Sequence, residues 1–117
     1  MRTQTELGRQ GEEQTAQYLQ KNGYTILARN YLQRTGEIDV IACSDTMLLF
    51  VEVKLRTASH FDMAEVITRS KQKKIITTAK IYLAQHDHDE KTCRFDVALI
   101  NTATRTFHYL KDAFRDE

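Results

Sequence analysis

The sequence predicts an α/β domain in which helices flank a mixed central β-sheet. Apolar residues recur at helical spacing in two segments, and five short apolar runs are typical of strands. Their order along the chain is α-β-β-β-α-β-β, which suits a mixed sheet with helices packed on it. The 117 residues are 41% hydrophobic and 28% charged, as in ordinary globular proteins. One domain over residues 1–117 is expected.

The first helix is predicted over residues 5–21. Thr5 is a suitable N-cap, and Asn22-Gly23 is typical of a helix end. The expected inward stripe consists of Leu7, Gly8, Gly11, Ala16 and Leu19. Residues 24–29 are predicted to form the first strand.

The next two strands are predicted to form an antiparallel hairpin from residues 37–43 and 47–54. A two-residue loop at 45–46 would pair Cys43 with Leu48. A longer loop would shift this register, and each one-residue shift moves every side chain to the other face.

A second helix is predicted over residues 70–85, and its start stays open because 62–68 could belong to it. Its expected buried face consists of Ile75, Ile76, Ala79, Tyr82 and Leu83. Residues 93–100 form a further predicted strand, followed by a turn at 101–104 and a last strand at 105–110.

The hairpin is predicted to bring two acids and a lysine together. Side chains alternate along a strand, so Glu37 and Asp39 share one face, as do Glu52 and Lys54. The opposite face of the first hairpin strand is expected to carry Ile38, Val40 and Ala42. In the register above, Asp39 lies opposite Glu52, and two carboxylates at this distance repel each other. A cation or a shifted pKa is needed to offset that repulsion. Mg²⁺ or Mn²⁺ suits such oxygen ligands, and Lys54 could orient water or stabilise charge on a phosphate.

The alternative is an amphipathic pair of strands with a solvated face. In that case Glu37 and Lys54 form a cross-strand ion pair, and the acids have no chemical role. A bare D-x12-E-x-K spacing recurs by chance and favours this alternative. Its position on two consecutive apolar strands, with matching side-chain parity, favours a site.

The two helices contribute further candidates. Glu12 is in line with Gly8 on the inward stripe, where an acid needs a partner or a metal, although a glutamate covering a helix end fits the spacing equally well. Glu13 falls on the polar face. Lys71 is in line with Ile75 at the edge of the buried face and could reach toward the sheet and its site.

Positive charge is concentrated in one part of the chain. The net charge is only +1, but the stretch from Lys54 to Lys80 contains seven basic and two acidic residues. This predicts an anionic partner, or else a solvated helix face. The candidates for nucleic-acid contacts are Arg56, Arg69, Lys73 and Lys74, with Lys80 as a further phosphate contact.

Other features restrict the function. Cys43 and Cys93 lack CxxC spacing and are expected to be buried, reduced thiols rather than zinc ligands. The run His86-Asp87-His88-Asp89 lies in a polar loop where metal binding is not expected. The start of the chain lacks the apolar region of a signal peptide, and no run approaches membrane-spanning length, so the cytoplasm is the expected location.

Several ordered motifs resemble those of a known family. They are GRQGE at 8–12, NGY at 22–24, GEIDVIA at 36–42, FVEVKLR at 50–56 and RFDV at 94–97. Over about residues 8–100 the chain resembles the YraN family of small bacterial proteins. The resemblance implies a restriction-endonuclease-like, PD-(D/E)xK fold, similar to that of archaeal Holliday-junction resolvases. The sequence departs in having Ile38 where the superfamily has proline, and no glycine at 59–64.

The resemblance also implies roles for individual residues. Asp39 and Glu52 match the metal ligands, Lys54 matches the superfamily lysine, and Glu12 matches the first-helix glutamate of the resolvases. The expected function is therefore a Mg²⁺-dependent endonuclease acting on DNA, with branched or damaged structures as candidate substrates. Resolvase-like cleavage needs two active sites and hence a homodimer.

Two other functions are compatible with the sequence. The first is a nucleic-acid-binding module without catalysis, which salt-dependent DNA binding without metal dependence would favour. The second is an interaction protein that docks on a larger complex, which binding to neither DNA nor metal would favour.

Overall fold

Two helices and five strands occur in the predicted order, in a computed structural model that describes residues 4–57 and 67–116. They are α1 (Gln4–Lys21), β1 (Thr25–Gln33), β2 (Gly36–Cys43), β3 (Met47–Arg56), α2 (Arg69–Gln85), β4 (Thr92–Asn101) and β5 (Thr106–Phe114). The α/β class is confirmed, and the arrangement is consistent with a nuclease-like fold.

The five strands form one sheet in the order β1-β2-β3-β4-β5. β3 pairs in parallel with β4, and the other neighbours are antiparallel, so the sheet is mixed. The parallel pair requires a crossover, which contains α2. β3 is the central strand, and the unbroken burial of residues 48–53 follows from its position between two covered faces.

Each helix covers one face of the sheet. On the α1 side the core includes Leu19, Val40, Val51 and Ala98, and on the α2 side it includes Ile38, Phe50, Ile75 and Leu99. α1 approaches the sheet closely at Gly11, where an added Cβ would lie 3.0 Å from Leu55 Cδ1. This approach places the following residue, Glu12, beside the strands.

The predicted end of α1 is confirmed, but the predicted N-cap is wrong, because Thr5 lies inside the helix, which already includes Gln4. Gly23, with φ 89°, ends α1. Thr68 caps α2, because its hydroxyl accepts a hydrogen bond from the Lys71 backbone N–H at 3.2 Å. Thr68 therefore does not belong to the helix, and 62–66 lie outside the described residues.

Two strands are longer than the sequence predicts. β1 continues to Gln33 and β5 to Phe114. Each contains one residue with positive φ, Asn30 at 52° and Asp112 at 54°, so the strand continues through a local distortion that the sequence pattern does not show. Phe114 is buried in the α2-side core, which secures the end of β5.

Two expectations about burial are wrong. Ile38 packs with Ile41 on the α2 side, not with Val40 and Ala42, because the face alternation of β2 breaks between Ile38 and Val40. Cys93 is exposed, since it lies at the start of β4, where the strand is not yet covered.

The polar loop after α2 has a structural explanation. His86 and His88 stack on Tyr82, with ring centroids 4.1 Å and 5.9 Å away.

In the described ranges, neither helix has the length and apolar character needed to cross a membrane.

Candidate metal centre

The predicted hairpin register is confirmed over the paired residues, and the ladder ends just before the predicted pair of Asp39 with Glu52. Cys43 pairs with Leu48 across the two-residue loop, and the ladder continues to its last pair, Val40 with Val51. Asp39 is the next residue of β2. Its Oδ2 accepts a hydrogen bond from the Val53 backbone N–H at 2.8 Å. Just beyond the ladder, a backbone N–H of β3 therefore bonds a side-chain carboxyl group of β2 rather than a backbone carbonyl.

A distortion of the edge strand β1 accompanies this arrangement. β1 pairs with β2 at Arg29–Val40 and again at Tyr31–Ile38, on either side of Asn30. Asn30 adopts the left-handed conformation, which asparagine tolerates better than most residues. The Asp39 carboxylate therefore lies at an irregular point of the sheet, where it can leave the regular pleat.

Asp39 and Glu52 form a buried pair of acids. Their exposed fractions are 8% and 7%. Burial, followed by the hydrogen bond and the negative charge of Glu52, raises the pKa of Asp39 from 3.8 to about 7. In the metal-free protein the pair is therefore stabilised by a proton near neutral pH.

One oxygen of this pair lacks a hydrogen bond. Glu52 Oε2 is buried and has no hydrogen-bond partner among the described residues. The Lys71 ammonium lies 3.8 Å away, within ion-pair distance but too far for a hydrogen bond. A buried acceptor without a donor costs free energy, and a bound cation would remove that cost.

Two further acids face the pair. Asn30 Nδ2 donates to Glu12 Oε1 at 3.2 Å, and burial raises the pKa of Glu12, with the charges of Asp39 and Glu37 adding to the effect. Burial likewise raises the pKa of Glu37, which hydrogen-bonds Asp39. Glu37 thus belongs to the acidic cluster and is not a partner for Lys54.

The acidic cluster is hereafter the set Glu12, Glu37, Asp39 and Glu52. Its donors are all carboxylate oxygens, which suit a hard divalent cation such as Mg²⁺. Among residues 4–57 and 67–116, no three His, Cys, Asp or Glu side chains already stand as a metal-ligand set. Without a cation, the carboxyl groups of the cluster share protons or their side chains turn apart. Binding of a cation would therefore draw these side chains together.

The predicted basic residues occupy different places. Lys54 is half-buried on β3, two residues after Glu52, and Lys71 is 43% exposed in the first turn of α2. At the end of β3, Arg56 Nη1 donates to the Leu55 carbonyl at 3.2 Å. The basic residues exposed on α2 are Arg69, Lys73, Lys74 and Lys80. The sheet and helix thus bring Lys71, but not Arg56, against the acidic cluster.

Two residues of the site were missed from the sequence. Glu37 was interpreted as an ion-pair partner, although its parity already placed it on the face of Asp39. Asn30 gave a weaker signal, a polar residue inside an apolar strand pattern, and only the structure shows its contact with Glu12.

Another buried aspartate, Asp96, has the hydrogen-bond partners expected of an acid with a purely structural role. It is fully buried, and the Arg94 guanidinium donates to its two oxygens at 2.8 Å and 2.9 Å. The Tyr109 hydroxyl and the Asp112 backbone N–H donate to it at 2.6 Å and 2.9 Å. Its bonds from Tyr109 and Asp112 join β5 to β4, and those from Arg94 lie within β4, in contrast to the acid-to-acid contacts of Asp39.

Comparisons with known proteins give one consistent result. A family model described as "Uncharacterised protein family UPF0102" matches residues 11–100. A UPF0102 protein of Prosthecochloris aestuarii is 49% identical over 96 residues, 81% of this chain and 76% of the relative. One of Chlorobium chlorochromatii is 43% identical over 118 residues, 93% of this chain and 91% of the relative. One of Hahella chejuensis is 40% identical over 111 residues, with shares of 93% and 90%.

Proposed function

The chain belongs to UPF0102, the YraN family, and we propose that it is a cytoplasmic, Mg²⁺- or Mn²⁺-dependent nuclease that hydrolyses phosphodiester bonds in DNA. The observation that carries this proposal is the buried Glu52 Oε2, which has no hydrogen-bond partner among the described residues and lies beside the raised-pKa carboxyl of Asp39. Stability alone does not account for such a pair, whereas a cation site does.

Asp39, Glu52 and Glu12 are the residues that would hold the ion. The Val53 N–H fixes one oxygen of Asp39, and Asn30 fixes one oxygen of Glu12, so two ligands are oriented in advance. A bound Mg²⁺ would supply charge stabilisation at a phosphate and a more acidic water. Lys54, on the same strand as Glu52, would orient that water or stabilise charge at the phosphate.

The nucleic acid would approach over α2. Arg69, Lys73 and Lys74 are exposed there, beside Lys71 at the acidic cluster. Lysine and arginine contacts of this kind hold phosphates without reading sequence. Arg56, at the end of β3, would extend the contact. Branched or damaged DNA is the proposed substrate, and cleavage of a junction at two strands would require a homodimer.

The decisive experiment compares the wild type with Asp39→Asn. Mn²⁺ binding is measured by calorimetry, and cleavage of junction, flap and duplex DNA is measured in parallel, with the exposed Asp45→Asn as the matched control. The proposal expects loss of Mn²⁺ binding and cleavage in Asp39→Asn alone, with the fold retained. Equal cleavage by wild type and Asp39→Asn would contradict it and indicate a contaminating nuclease.

A non-catalytic DNA-binding module is the second candidate. The exposed basic face of α2 favours it, because that face could bind phosphates without any metal. Salt-dependent DNA binding that is equal with Mg²⁺ and with a chelator, and is accompanied by no cleavage, would support this function over the nuclease.

A further inference from the structure

We propose that the Lys71 ammonium is an internal counter-cation of the acidic cluster, which a divalent ion displaces toward the phosphates of the nucleic acid. The proposal rests on the proposed metal site and adds to it a coupling between ion binding and substrate binding. It assigns Lys71 a role other than that of a fixed catalytic group.

The position of Lys71 supports this role. Its Nζ lies 3.8 Å from Glu52 Oε2, the buried oxygen described above. The positive charge of Lys71 also opposes the upward pKa shift of Glu37. Lys71 therefore lies on the side of the cluster formed by Glu37 and Glu52. Lys71 is thus the cation that the described residues bring within ion-pair distance of these acids.

A second cation, Arg29, lowers the pKa of Glu12 but is already paired with an acid outside the cluster. Arg29 pairs with Glu13 at 2.7 Å, on the exposed side of α1. The acidic cluster carries four carboxyl groups, and Lys71 balances only part of their charge. A divalent ion that binds Glu52 would therefore meet a positive charge at the same oxygen.

Two cations at one oxygen repel each other. Binding of the ion therefore weakens the Lys71–Glu52 ion pair, and by reciprocity that ion pair weakens ion binding. The Lys71 side chain is 43% exposed, so it can leave without opening the core. Its helix also presents Lys73 and Lys74 to solvent, so the released ammonium would join a surface that suits phosphates.

The test measures Mn²⁺ affinity without nucleic acid, by calorimetry, in Lys71→Gln and in the wild type. We expect Lys71→Gln to bind Mn²⁺ about fivefold more tightly, a typical size for coupling between two ligands. Lys73→Gln is the matched control, since it removes the same charge from the exposed side of the same helix. We expect it, and the charge-retaining Lys71→Arg, to change the affinity by less than about twofold.

A second readout uses only the wild-type chain and therefore does not depend on how the variants fold. With ¹³C-labelled lysine, the Lys71 Cε resonance should move as Mg²⁺ is added, and the Lys73 resonance should stay in place. A Lys71 resonance that is unchanged at saturating Mg²⁺ would overturn the displacement.

The outcomes separate this inference from the proposed function. If the wild type binds Mn²⁺ and Asp39→Asn does not, but Lys71→Gln binds with equal or lower affinity than wild type, the metal site stands and the counter-cation role is wrong. If the wild type binds no divalent ion, both proposals are wrong.

Discussion

The backbone N–H of Val53 donates to Oδ2 of Asp39 at 2.8 Å, just beyond Val40–Val51, the last pair of the β2–β3 ladder. This bond fixes the aspartate to the central strand while its carboxyl group remains beside Glu52 and Glu37. An acid held in this way keeps its position whether or not it is charged. Its protonation should therefore be visible in the stability of the protein.

Asp39→Asn should stabilise the metal-free protein at high pH. The raised pKa of Asp39 means that the folded state holds its proton more tightly than the unfolded chain. The resulting stabilisation is complete below about pH 3.8 and is lost as the pH rises to about 7. Asparagine stays neutral, so in chelator at pH 8 the variant should gain at most about 4 kcal/mol. Urea unfolding at pH 4 and pH 8 measures this gain, and parallel pH profiles for wild type and variant would contradict it.

Asp96→Asn should have the opposite effect. Its amide cannot accept both bonds from the half-buried Arg94, which leaves a charge without its partner. We expect a loss of about 3 kcal/mol in unfolding free energy at pH 7, with Mn²⁺ affinity unchanged in the folded protein. Asp112→Asn removes the exposed ion pair with Arg115 and is the control, with a much smaller expected loss because solvent screens that pair. Equal losses in both variants would refute the structural role of Asp96.

Gly11→Ala should destabilise the protein, whereas Gly8→Ala on the same helix should not. An added Cβ at Gly11 would lie 3.0 Å from Leu55 Cδ1 and 3.1 Å from Ile100 Cδ1, while Gly8 has nothing within 4 Å. Overpacking should cost about 1–2 kcal/mol at Gly11, and higher helix propensity should add about 0.5–1 kcal/mol of stability at Gly8. Thermal unfolding of both variants checks the difference, and a stabilised Gly11→Ala would mean that α1 is not held so closely.

Lys73→Gln combined with Lys74→Gln should weaken DNA binding regardless of sequence. If both lysines contact phosphates, the slope of log affinity against log salt should become shallower by about 1.8, or about 0.9 for each contact. Fluorescence anisotropy in chelator, over a range of salt concentrations, measures this slope. Lys21→Gln, at the far end of α1, is the control for charge alone. A slope equal to that of the wild type would place the DNA elsewhere.

Local sequence signals predicted most of the fold. The two-residue loop fixed the hairpin register and hence the approach of Asp39 to Glu52, because side-chain parity follows directly from register. Gly23 marks the predicted end of α1 through capping chemistry that depends on neighbouring residues only. Such features are encoded within a few residues.

The remaining features depend on contacts between distant segments. Ile38 changes face because the sheet is distorted where Asn30 lies beside β2, and no periodicity in either strand contains that information. Glu37 turns to Asp39 because the β2–β3 ladder has already ended, so the extrapolated pair with Lys54 is not made. Asp96 obtains its bonds from Tyr109 and Asp112 only when β5 folds back on β4.

The order of the strands has a consequence for how the chain folds. All four acids come from α1 and the contiguous strands β2 and β3, whereas the sheet is completed by parallel pairing across a long crossover. Antiparallel neighbours close short loops and form early, and parallel pairing between distant segments is slow. The repulsion among the acids therefore arises in the early, half-built sheet, and a divalent ion that relieves it should raise the folding rate more than it lowers the unfolding rate.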